Sequence, residues 1–452
     1  MTEFKADLKK TEERLQEIAS FAIEQAILNG ADECEVSVGG EKGISVSSRD
    51  CEVENIEYHR NNGLDITVYK DKKKGNASST DMSNEAIKES VLSAINIAGY
   101  SNSDDCSGLA DKELLCRDIK DLDLIFENDF STDKAAEFAI SLERMALDRK
   151  LSFIKNSDGA GFCSSIHTSV LANSNGFNQA KSQSIVWSSL TLLGQSDGKM
   201  QRGFGYGIAR AHSDLVSKES IVEEAIKKTR RKLGAKSLNT GKYNVIFSER
   251  AAVSLWSILS SAISGGSIYR KSSFLCDRLD TQIFPSYVTI HEDPFVKREF
   301  ESKNYDLDGV QVKESNIVEN GVLKEYLLGT YSSRKLKMQT NGHAGGLHNW
   351  FICFDKEHSL CFDDLLKSVG EGIVITDLMG QGTDLVSGNY SRGAEGYYFK
   401  NGKFVHSVEG ITVAGNLKDM FMNMQAIADD IDNRSVIKTG SVFIPDMTVS
   451  GQ

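Results

Sequence analysis

The sequence predicts an α+β fold: an N-terminal α/β domain whose antiparallel strands are flanked by helices, followed by a mostly antiparallel β C-terminal domain with a few helices. Apolar residues recur at helical spacing in several segments, and between those segments lie runs that alternate apolar and polar residues like strands. Asn-Gly or Asp-Gly dipeptides, which are strong local signals for a β-hairpin, separate many of these runs. A length of 452 residues, 40% of them hydrophobic and 26% charged, suffices for two or three folded domains.

The first hundred residues (1–100) are predicted to form one α+β unit. Leu8, Leu15 and Ile18 lie near helical spacing, and Asn29-Gly30 supplies a residue pair that can end a helix. The expected elements are a helix over residues 7–29, strands between 34 and 68 with turns at Asn62-Gly63 and in the run 70–75, and a helix over 83–99.

A second unit is predicted over residues 124–240, after a polar, acidic linker at 101–123. Asn175-Gly176 and Asp197-Gly198 divide its strand-like residues into an antiparallel meander, which can pack with the first unit as one domain. The basic run KKTRRK at 227–232 is typical of a solvated helix end, where cations complement the helix dipole. The expected elements are a helix over 133–149, strands over 161–173, 180–194 and 200–211, and a helix opened by a Ser220–Glu223 capping box and running to Leu233.

The third unit, predicted over residues 241–452, is the C-terminal domain. Beyond Pro285 its pattern is mostly that of strands. Eleven glycines fall between Gly342 and Gly402, which indicates backbone that bends often or approaches a neighbour closely. The expected elements are a strand over 243–247, a helix capped by Ser248 and ending near 263, hairpins at Asn320-Gly321 and Asn401-Gly402, and a helix from Asn416 to Ile431.

Composition excludes several classes of function. The formal net charge of −12 disfavours binding to nucleic acid or to an anionic lipid surface, so neither partner is expected. The N-terminal residues MTEFKADLKKTEERLQ contain no apolar segment of a signal peptide, and the uncharged run 251–269 contains six serines, too many for a typical spanning helix. Eight cysteines without short regular spacing indicate reduced thiols, so a cytoplasmic protein is expected.

One group of residues has the composition of a metal site. Nitrogen and sulfur ligands of this kind suit zinc, but their spacing is irregular and contains no C-x2-C pair. Two interpretations stay open: a metal site, or a glycine-rich binding or interface loop followed by a strand. His291-Glu292 lacks the second histidine of a zinc-protease helix and is followed by Pro294, so no such helix is expected there. The possible ligands are His343, His348, Cys353, His358 and Cys361.

Five blocks in the last two hundred residues carry a more specific pattern. They are ISGGSIYRKSSFL at 263–275, TNGHAGGLHNW at 340–350, DLMGQGTDLVSGNYSRGAEGYY at 377–398, ITVAGNLKDM at 411–420 and GSVFIPDMTVSGQ at 440–452. In order and spacing these blocks resemble the PmbA (TldE) branch of the TldD/PmbA peptidase family, whose members were first described as modulators of DNA gyrase. Upstream of residue 245 the layout of helices and strands is similar but has no distinctive motif.

The resemblance implies a cytoplasmic complex of two sister subunits that cleaves unstructured peptides and peptide precursors. The catalytic sister of such a pair carries zinc on an H-E-x-x-x-H helix together with a late cysteine. Aligned through YRKSSFL, the three motif positions here hold Trp256, Ser257 and Ser261, and no cysteine follows Cys361. An indole cannot coordinate zinc and a serine is no general base at neutral pH. We therefore expect no catalytic residue and no zinc on this chain, and zinc on the sister subunit.

These considerations predict a non-zinc-binding subunit of a TldD/TldE-type metallopeptidase complex, with a TldD-type sister as its heterodimer partner; a homodimer also stays open. Two alternatives remain: a metal-dependent peptidase that uses the cluster from His343 to Cys361, and a gyrase-modulating binding protein, which the acidic charge supports little.

Glycine-rich loops and polar side chains are suited to binding an extended peptide. The candidates for substrate or interface contact are Tyr269, Arg270, His343, Gly345, Gly346, His348, Asn349, Ser391 and Arg392.

Overall fold

A computed structural model describes residues 3–128 and 130–451 of the chain. Its first half is built on one six-stranded antiparallel sheet with the order β3-β2-β1-β4-β5-β6, which therefore crosses the boundary between the first two predicted units. The elements are α1 (Glu3–Leu28), β1 (Glu33–Arg49), β2 (Glu52–Lys70), β3 (Lys73–Ser79), α2 (Asn84–Tyr100), α3 (Thr132–Leu147), β4 (Ile154–Asn173), β5 (Asn178–Ser196), β6 (Lys199–Ala209) and α4 (Lys218–Lys232).

Four helices cover one face of this sheet. Alternate residues of β1, such as Val36 and Val46, are buried because the period of a strand places them all on that face. The face carries two clusters, one beneath α1 and α2 and one beneath α3 and α4. Helix α4 packs closely on β6 because Gly203 and Gly205 lie beneath it: a Cβ on Gly205 would come within 2.0 Å of the carbonyl oxygen of Ile221.

The hairpin between β1 and β2 differs from the prediction. Asn62-Gly63 is not a turn, since these residues pair with Gly40 and Gly39 inside the ladder. The chain turns instead at Asp50-Cys51, where φ is 56° and 60°, the left-handed values that a type I′ turn needs. The local preference of Asn-Gly yields here to a long register of paired strands.

In the second unit, the predicted start of the last helix is wrong. Helix α4 begins one turn before the predicted capping box, because the hydroxyl of Ser217 accepts a hydrogen bond from the amide of Ser220 at 3.2 Å. The predicted linker 101–123 contains a 3₁₀ turn at Lys112–Leu114 and a single β-bridge from Leu115 to Val310. Arg334 fastens it to the second half of the chain by donating to the carbonyl oxygens of Gly108 and Leu109 at 3.2 and 2.7 Å.

The second half of the chain contains two sheets and a large core between them. One sheet has the order β10-β9-β8-β11-β17; the other, β12-β16-β18-β15-β14-β13-β7, closes into a ring because β18 also pairs with β7. The elements are β7 (Gly241–Phe247), α5 (Glu249–Ala262), α6 (Gly265–Tyr269), β8 (Val288–Glu292), β9 (Ser315–Glu319), β10 (Val322–Leu323), α7 (Thr330–Leu336), β11 (Trp350–Phe354), β12 (Ser359–Leu360), α8 (Phe362–Val369), β13 (Glu371–Met379), β14 (Asn389–Lys400), β15 (Lys403–Asn416), α9 (Leu417–Met422), β16 (Ala426–Ala428), β17 (Ile437–Lys438) and β18 (Val442–Ser450).

The predicted α+β class is confirmed, with antiparallel sheets in the N-terminal region and a mixed, barrel-like sheet in the C-terminal region. The last helix is shorter than predicted: α9 ends at Met422 because the chain must enter β16, which pairs with β18. Among the residues described, no helix is both long and apolar enough to cross a membrane.

Candidate functional site

Helix α5 carries the positions that the resemblance assigns to a zinc site. It begins at a cap in which the hydroxyl of Ser248 accepts a hydrogen bond from the amide of Ala251 at 3.3 Å. Its apolar residues, such as Leu255 and Leu259, lie on one face and are fully buried in the core of the C-terminal region. Ser257 and Ser261, which are four residues apart, lie together on the exposed face.

The three α5 positions do not fit a zinc ion. Trp256 is fully buried, its indole nitrogen donates to the hydroxyl of Thr439 at 3.0 Å, and its ring packs 5.6 Å from that of Phe284. The hydroxyls of Ser257 and Ser261 donate back to the helix, to the carbonyl oxygens of Val253 and Ser257 at 2.9 and 3.0 Å. None of the three offers the imidazole, thiolate or carboxylate that zinc requires.

A second polar group lies buried where β8 meets the glycine-rich loop of residues 342–349. The carboxylate of Glu292, which is fully buried, accepts hydrogen bonds from Nε2 of His343 at 2.6 Å, from the amide of His348 at 2.9 Å and from the indole of Trp350 at 2.6 Å. The rings of His343 and His348 stack with their centroids 4.9 Å apart. The loop is therefore held onto β8 by one carboxylate.

The hydrogen-bond partners fix where the protons of His343 lie. Nδ1 of His343 is 2.8 Å from Oδ1 of Asn341, and that oxygen also accepts from the amide of Leu328. The amide nitrogen of Asn341 donates to Glu325 and to the carbonyl oxygen of Tyr326, so the side chain cannot be flipped without losing these bonds. Nδ1 of His343 therefore donates to Asn341, and Nε2 lies against the carboxylate of Glu292.

Electrostatics support an ionised Glu292. Burial alone would raise its pKa, but the hydrogen bond and charge of His343 hold the pKa of Glu292 below its ordinary value. Burial lowers the pKa of His348 to about 3, against the opposing attraction of Glu292, so this imidazole is neutral. Nε2 of His348 donates to the carbonyl oxygen of Gly342 at 3.0 Å, and Nδ1 has no hydrogen-bond partner among the described residues.

The five predicted metal ligands do not come together. Only His343 and His348 join a potential ligand group within the described part of the chain, and their third member is Glu292. His358 bonds to Asp355 and stacks on Tyr287, while Cys353 and Cys361 are exposed. Most of the oxygen and nitrogen atoms of Glu292 and His343 that could bind a metal already take part in hydrogen bonds. The group therefore has the properties of a structural network more than those of an open metal site.

Sequence reasoning missed Glu292, although a signal was present. Val288, Ile290 and Glu292 alternate along β8, and this period places the carboxylate on the same buried face as the two apolar side chains. A glutamate at a core position of a strand requires partners, because an unpaired buried charge is very costly. An interpretation of His291-Glu292 as the start of a helical zinc motif overlooks this signal.

The other candidate residues of the loop differ in exposure. Asn349 is fully buried and donates to the hydroxyl of Ser302 and to the carbonyl oxygen of Asp293. Gly345 is exposed, with a φ of 100° that favours glycine, and a Cβ on it would meet Leu307 at 2.9 Å. Gly346 has a φ of 105° with open space where a Cβ would lie. Contact with a ligand is thus open to the glycine backbone, and the polar side chains of the loop serve its internal bonding.

Helix α6 lies beside this loop. The amide of Gly265 donates to the carbonyl oxygen of Leu327, and the amide of His343 donates to that of the next residue, Leu328. Arg270, at the end of α6, is exposed and donates to the hydroxyl of Tyr269 at 3.0 Å. Tyr269 in turn packs against Tyr331, with ring centroids 5.8 Å apart. Tyr269 and Arg270 therefore end a helix whose start is bonded to Leu327, beside the residue that also holds the glycine-rich loop.

Ser391 and Arg392 lie apart from α6, on β14 of the barrel-like sheet. Ser391 is exposed, and its amide donates to the carbonyl oxygen of Gly382 at 2.7 Å. Nε of Arg392 is buried without a hydrogen-bond partner among the described residues. A Cβ on Gly382 would clash with the carbonyl group of Ser391, so this glycine allows the backbone to approach β14 closely, as the glycine content of the segment predicts.

Comparison with known protein families adds a further finding. Three family models match the chain: PmbA/TldA metallopeptidase domain 1 over residues 34–98, the central domain over 127–233 and the C-terminal domain over 240–451. The chain is 42% identical over 440 residues to metalloprotease PmbA of Escherichia coli, covering 97% of this chain and 96% of that protein. It is also 42% identical over 444 residues to the metalloprotease PmbA homologue of Haemophilus influenzae, covering 98% of each.

Solved structures share the fold. A protein of Bacteroides thetaiotaomicron, to which a role as a modulator of DNA gyrase has been ascribed, superposes with a TM-score of 0.89 at 23% identity, covering 96% of this chain and 98% of that one. TldE of Thermococcus kodakarensis superposes with a TM-score of 0.81 at 19% identity, covering 95% and 100%. At these identities the likeness concerns the fold alone.

Proposed function

This chain belongs to the PmbA/TldD family of metallopeptidases, and we propose that within the family it is a subunit without catalytic zinc that works with a zinc-bearing sister chain. In this proposal the pair is a heterodimer that cleaves unstructured peptides and peptide precursors. One observation carries the proposal: the three α5 positions hold a buried Trp256 and the exposed Ser257 and Ser261, which have no donor for zinc and no base for its water.

The chemistry of peptide hydrolysis explains why a partner is required. A zinc peptidase uses the metal to polarise the peptide carbonyl and to activate a water, and a carboxylate takes the proton from that water. Neither hydroxyl on α5 is free for such a task, since Ser257 and Ser261 both donate to helix carbonyl oxygens. On this proposal the sister supplies the metal and the base, and the present chain supplies a surface for the substrate.

The surface that suits a peptide lies around α6 and the glycine-rich loop. An extended peptide is held mainly by backbone hydrogen bonds, with a few side chains fixing its direction. The exposed backbone at Gly345 and the exposed side chain of Arg270 offer both kinds of contact. Glu292 supports this surface from beneath, because it holds the loop through His343 and His348 without touching solvent.

Cleavage of an unstructured peptide by this chain alone, by an H-E-x-x-x-H sister alone and by their mixture tests the proposal. We expect full activity only in the mixture. We also expect Arg270→Ala to lower the activity of the mixture by about tenfold, the equivalent of one charge-assisted hydrogen bond to the substrate. The zinc content and assembly of the mixture should stay unchanged.

The neighbouring Lys271→Ala, which removes an exposed cation of the same charge, serves as the matched control and should leave cleavage unchanged. Peptide cleavage by this chain alone, inhibited by a chelator, would overturn the proposed division of labour. Equal effects of Arg270→Ala and Lys271→Ala on cleavage would show that Arg270 does not contact the substrate.

A further inference from the structure

A cavity of about 510 Å³ lies between α4 and the barrel-like sheet, away from the glycine-rich loop. Its walls come from β6, α4, the first turn of α5, α8 and strands β13, β14 and β15. A volume of this size is typical of sites that hold a small molecule. The cavity includes part of the basic run KKTRRK, whose charges the proposed peptidase role leaves unused.

One wall of the cavity presents cations that are not neutralised by a carboxylate. Lys227, Arg231 and Arg250 form no ion pair within the described part of the chain, whereas Lys232 pairs with Asp377 and Glu395 at 3.3 Å each. The guanidinium of Arg231 lies over the ring of Tyr397 at 5.3 Å, and that of Arg250 lies over Phe204 at 4.4 Å. Stacking on rings orients these groups but leaves their N–H donors available.

The cavity also contains carboxylates without a cation. Glu249 is half-buried and forms no ion pair among the described residues, although its carboxylate accepts a hydrogen bond from its own amide and feels the charge of Lys228. Burial raises the pKa of Glu249, and the nearby charge of Asp430 raises it further. Asp430 accepts hydrogen bonds from the amide and the hydroxyl of Ser441 at 2.7 Å each but has no cationic partner in the described structure. This part of the cavity would be stabilised by a positive charge.

The two kinds of unpaired group restrict the ligand. A simple anion such as phosphate would be attracted by Arg231 and Arg250 but repelled by Glu249 and Asp430. A simple cation would be attracted by the two carboxylates but repelled by the two guanidinium groups. A ligand that carries both a positive and a negative charge can pair with the carboxylates and with the guanidinium groups. The cavity also offers apolar and aromatic surface from Phe204, Tyr397 and Phe404, which suits an uncharged side chain.

We propose that this cavity binds the zwitterion of a short peptide, its terminal ammonium near Glu249 and Asp430 and its terminal carboxylate near Arg231 and Lys227. The apolar side chain of the peptide packs on the aromatic residues of the cavity. Because the cavity lies between α4 and the C-terminal sheet, a bound peptide also ties the two halves of the chain together. This inference does not depend on a sister subunit or on peptide cleavage by this chain.

Titration calorimetry of the full-length chain alone, with the dipeptide Leu-Phe as probe, tests the inference. We expect the free dipeptide to bind, and we expect both its N-acetyl form and its C-terminal amide to bind at least tenfold more weakly. Glu249→Gln should weaken the free dipeptide without changing the affinity of the N-acetyl form. Arg231→Gln should weaken the free dipeptide without changing the affinity of the amide.

Arg230→Gln, on the same helix but outside the cavity, is the matched control and should leave the affinity unchanged. The comparison of the three peptides on the unaltered chain needs no variant, so a folding defect cannot obscure it. No binding of the dipeptide, or equal binding of either blocked form, would overturn the proposal. So would an equal effect of Arg230→Gln and Arg231→Gln.

Discussion

Glu292 is the residue on which the geometry of the glycine-rich loop depends most. Its two oxygens accept from one imidazole, one backbone amide and one indole, all in the interior. A hydrogen bond to a buried charge is stronger than a neutral one, and removal of one partner leaves the others unsatisfied. Residues 343–350 therefore keep their conformation through a side chain that lies on another element, β8.

This dependence predicts the effect of Glu292→Gln on stability. The variant should lose about 3–5 kcal/mol of unfolding free energy, because His343, the amide of His348 and the indole of Trp350 lose a buried, charged acceptor. Urea denaturation measures the loss. Glu314→Gln is the control, since Glu314 forms an exposed ion pair with His291 at 3.3 Å and should contribute less than about 1 kcal/mol. Equal losses in the two variants would contradict the account.

The buried imidazole of His348 should make the stability of the folded chain depend on pH. Its pKa is lowered by burial to about 3 in the folded chain, whereas an unfolded histidine titrates near its ordinary value of about 6.5. Between these values the unfolded state binds more protons, so the stability contribution is present above pH ~6.5 and is lost as the pH falls toward ~3. At pH 5 the loss from this one residue is about 2 kcal/mol relative to pH 7.

Comparison with His348→Gln isolates this contribution, since glutamine keeps an amide donor but does not titrate. Unfolding free energies at pH 5 and pH 7 should differ by about 2 kcal/mol less in the variant than in the unaltered chain. Glu35 and Asp306, whose pKa values are raised by burial to about 7, act in the opposite sense in both proteins and cancel in the comparison. An identical pH dependence would show that His348 does not titrate as described.

Among the elements, the sequence pattern identified most helices and strands and failed where tertiary contacts decide. The meander of β4 to β6 follows its Asn-Gly and Asp-Gly dipeptides because nothing competes with them there. Asn62-Gly63 carries the same local signal, but its pairing with Gly40 and Gly39 keeps it in a strand. The alternation along β8 places Glu292 in the core, but its partners are some fifty positions away along the chain, and only the packed structure brings them together.

The start of α4 gives a direct test at this scale. Ser217→Ala should cost about 1 kcal/mol of unfolding free energy, because the amide of Ser220 loses its capping acceptor. Ser220→Ala, which removes the hydroxyl expected from sequence to cap the helix, should cost much less. Chemical denaturation of both variants shows which serine caps the helix. A larger loss of unfolding free energy for Ser220→Ala would mean that Ser220 is the cap, as the sequence predicts.

At the scale of the whole molecule, the segment 101–123 belongs to the half built on the six-stranded sheet, and Arg334 fixes it to α7 in the half that contains the ring of strands. The C-terminal region carries exposed glycines at Gly345, Gly380 and Gly382, and an assembly through this region would bury them against a partner. We expect that partner to be the sister chain. This expectation rests on Trp256, Ser257 and Ser261, which offer no zinc ligand at the three motif positions of α5.

The zinc content of the separated and assembled subunits tests the central claim most directly. Native mass spectrometry of this chain, of an H-E-x-x-x-H sister and of their mixture reports both stoichiometry and bound metal. We predict a one-to-one complex with one zinc on the sister and none on the present chain, whether it is isolated or released from the complex. One tightly bound zinc on the isolated chain, lost on His343→Ala, would contradict the account and assign the metal to the group around Glu292.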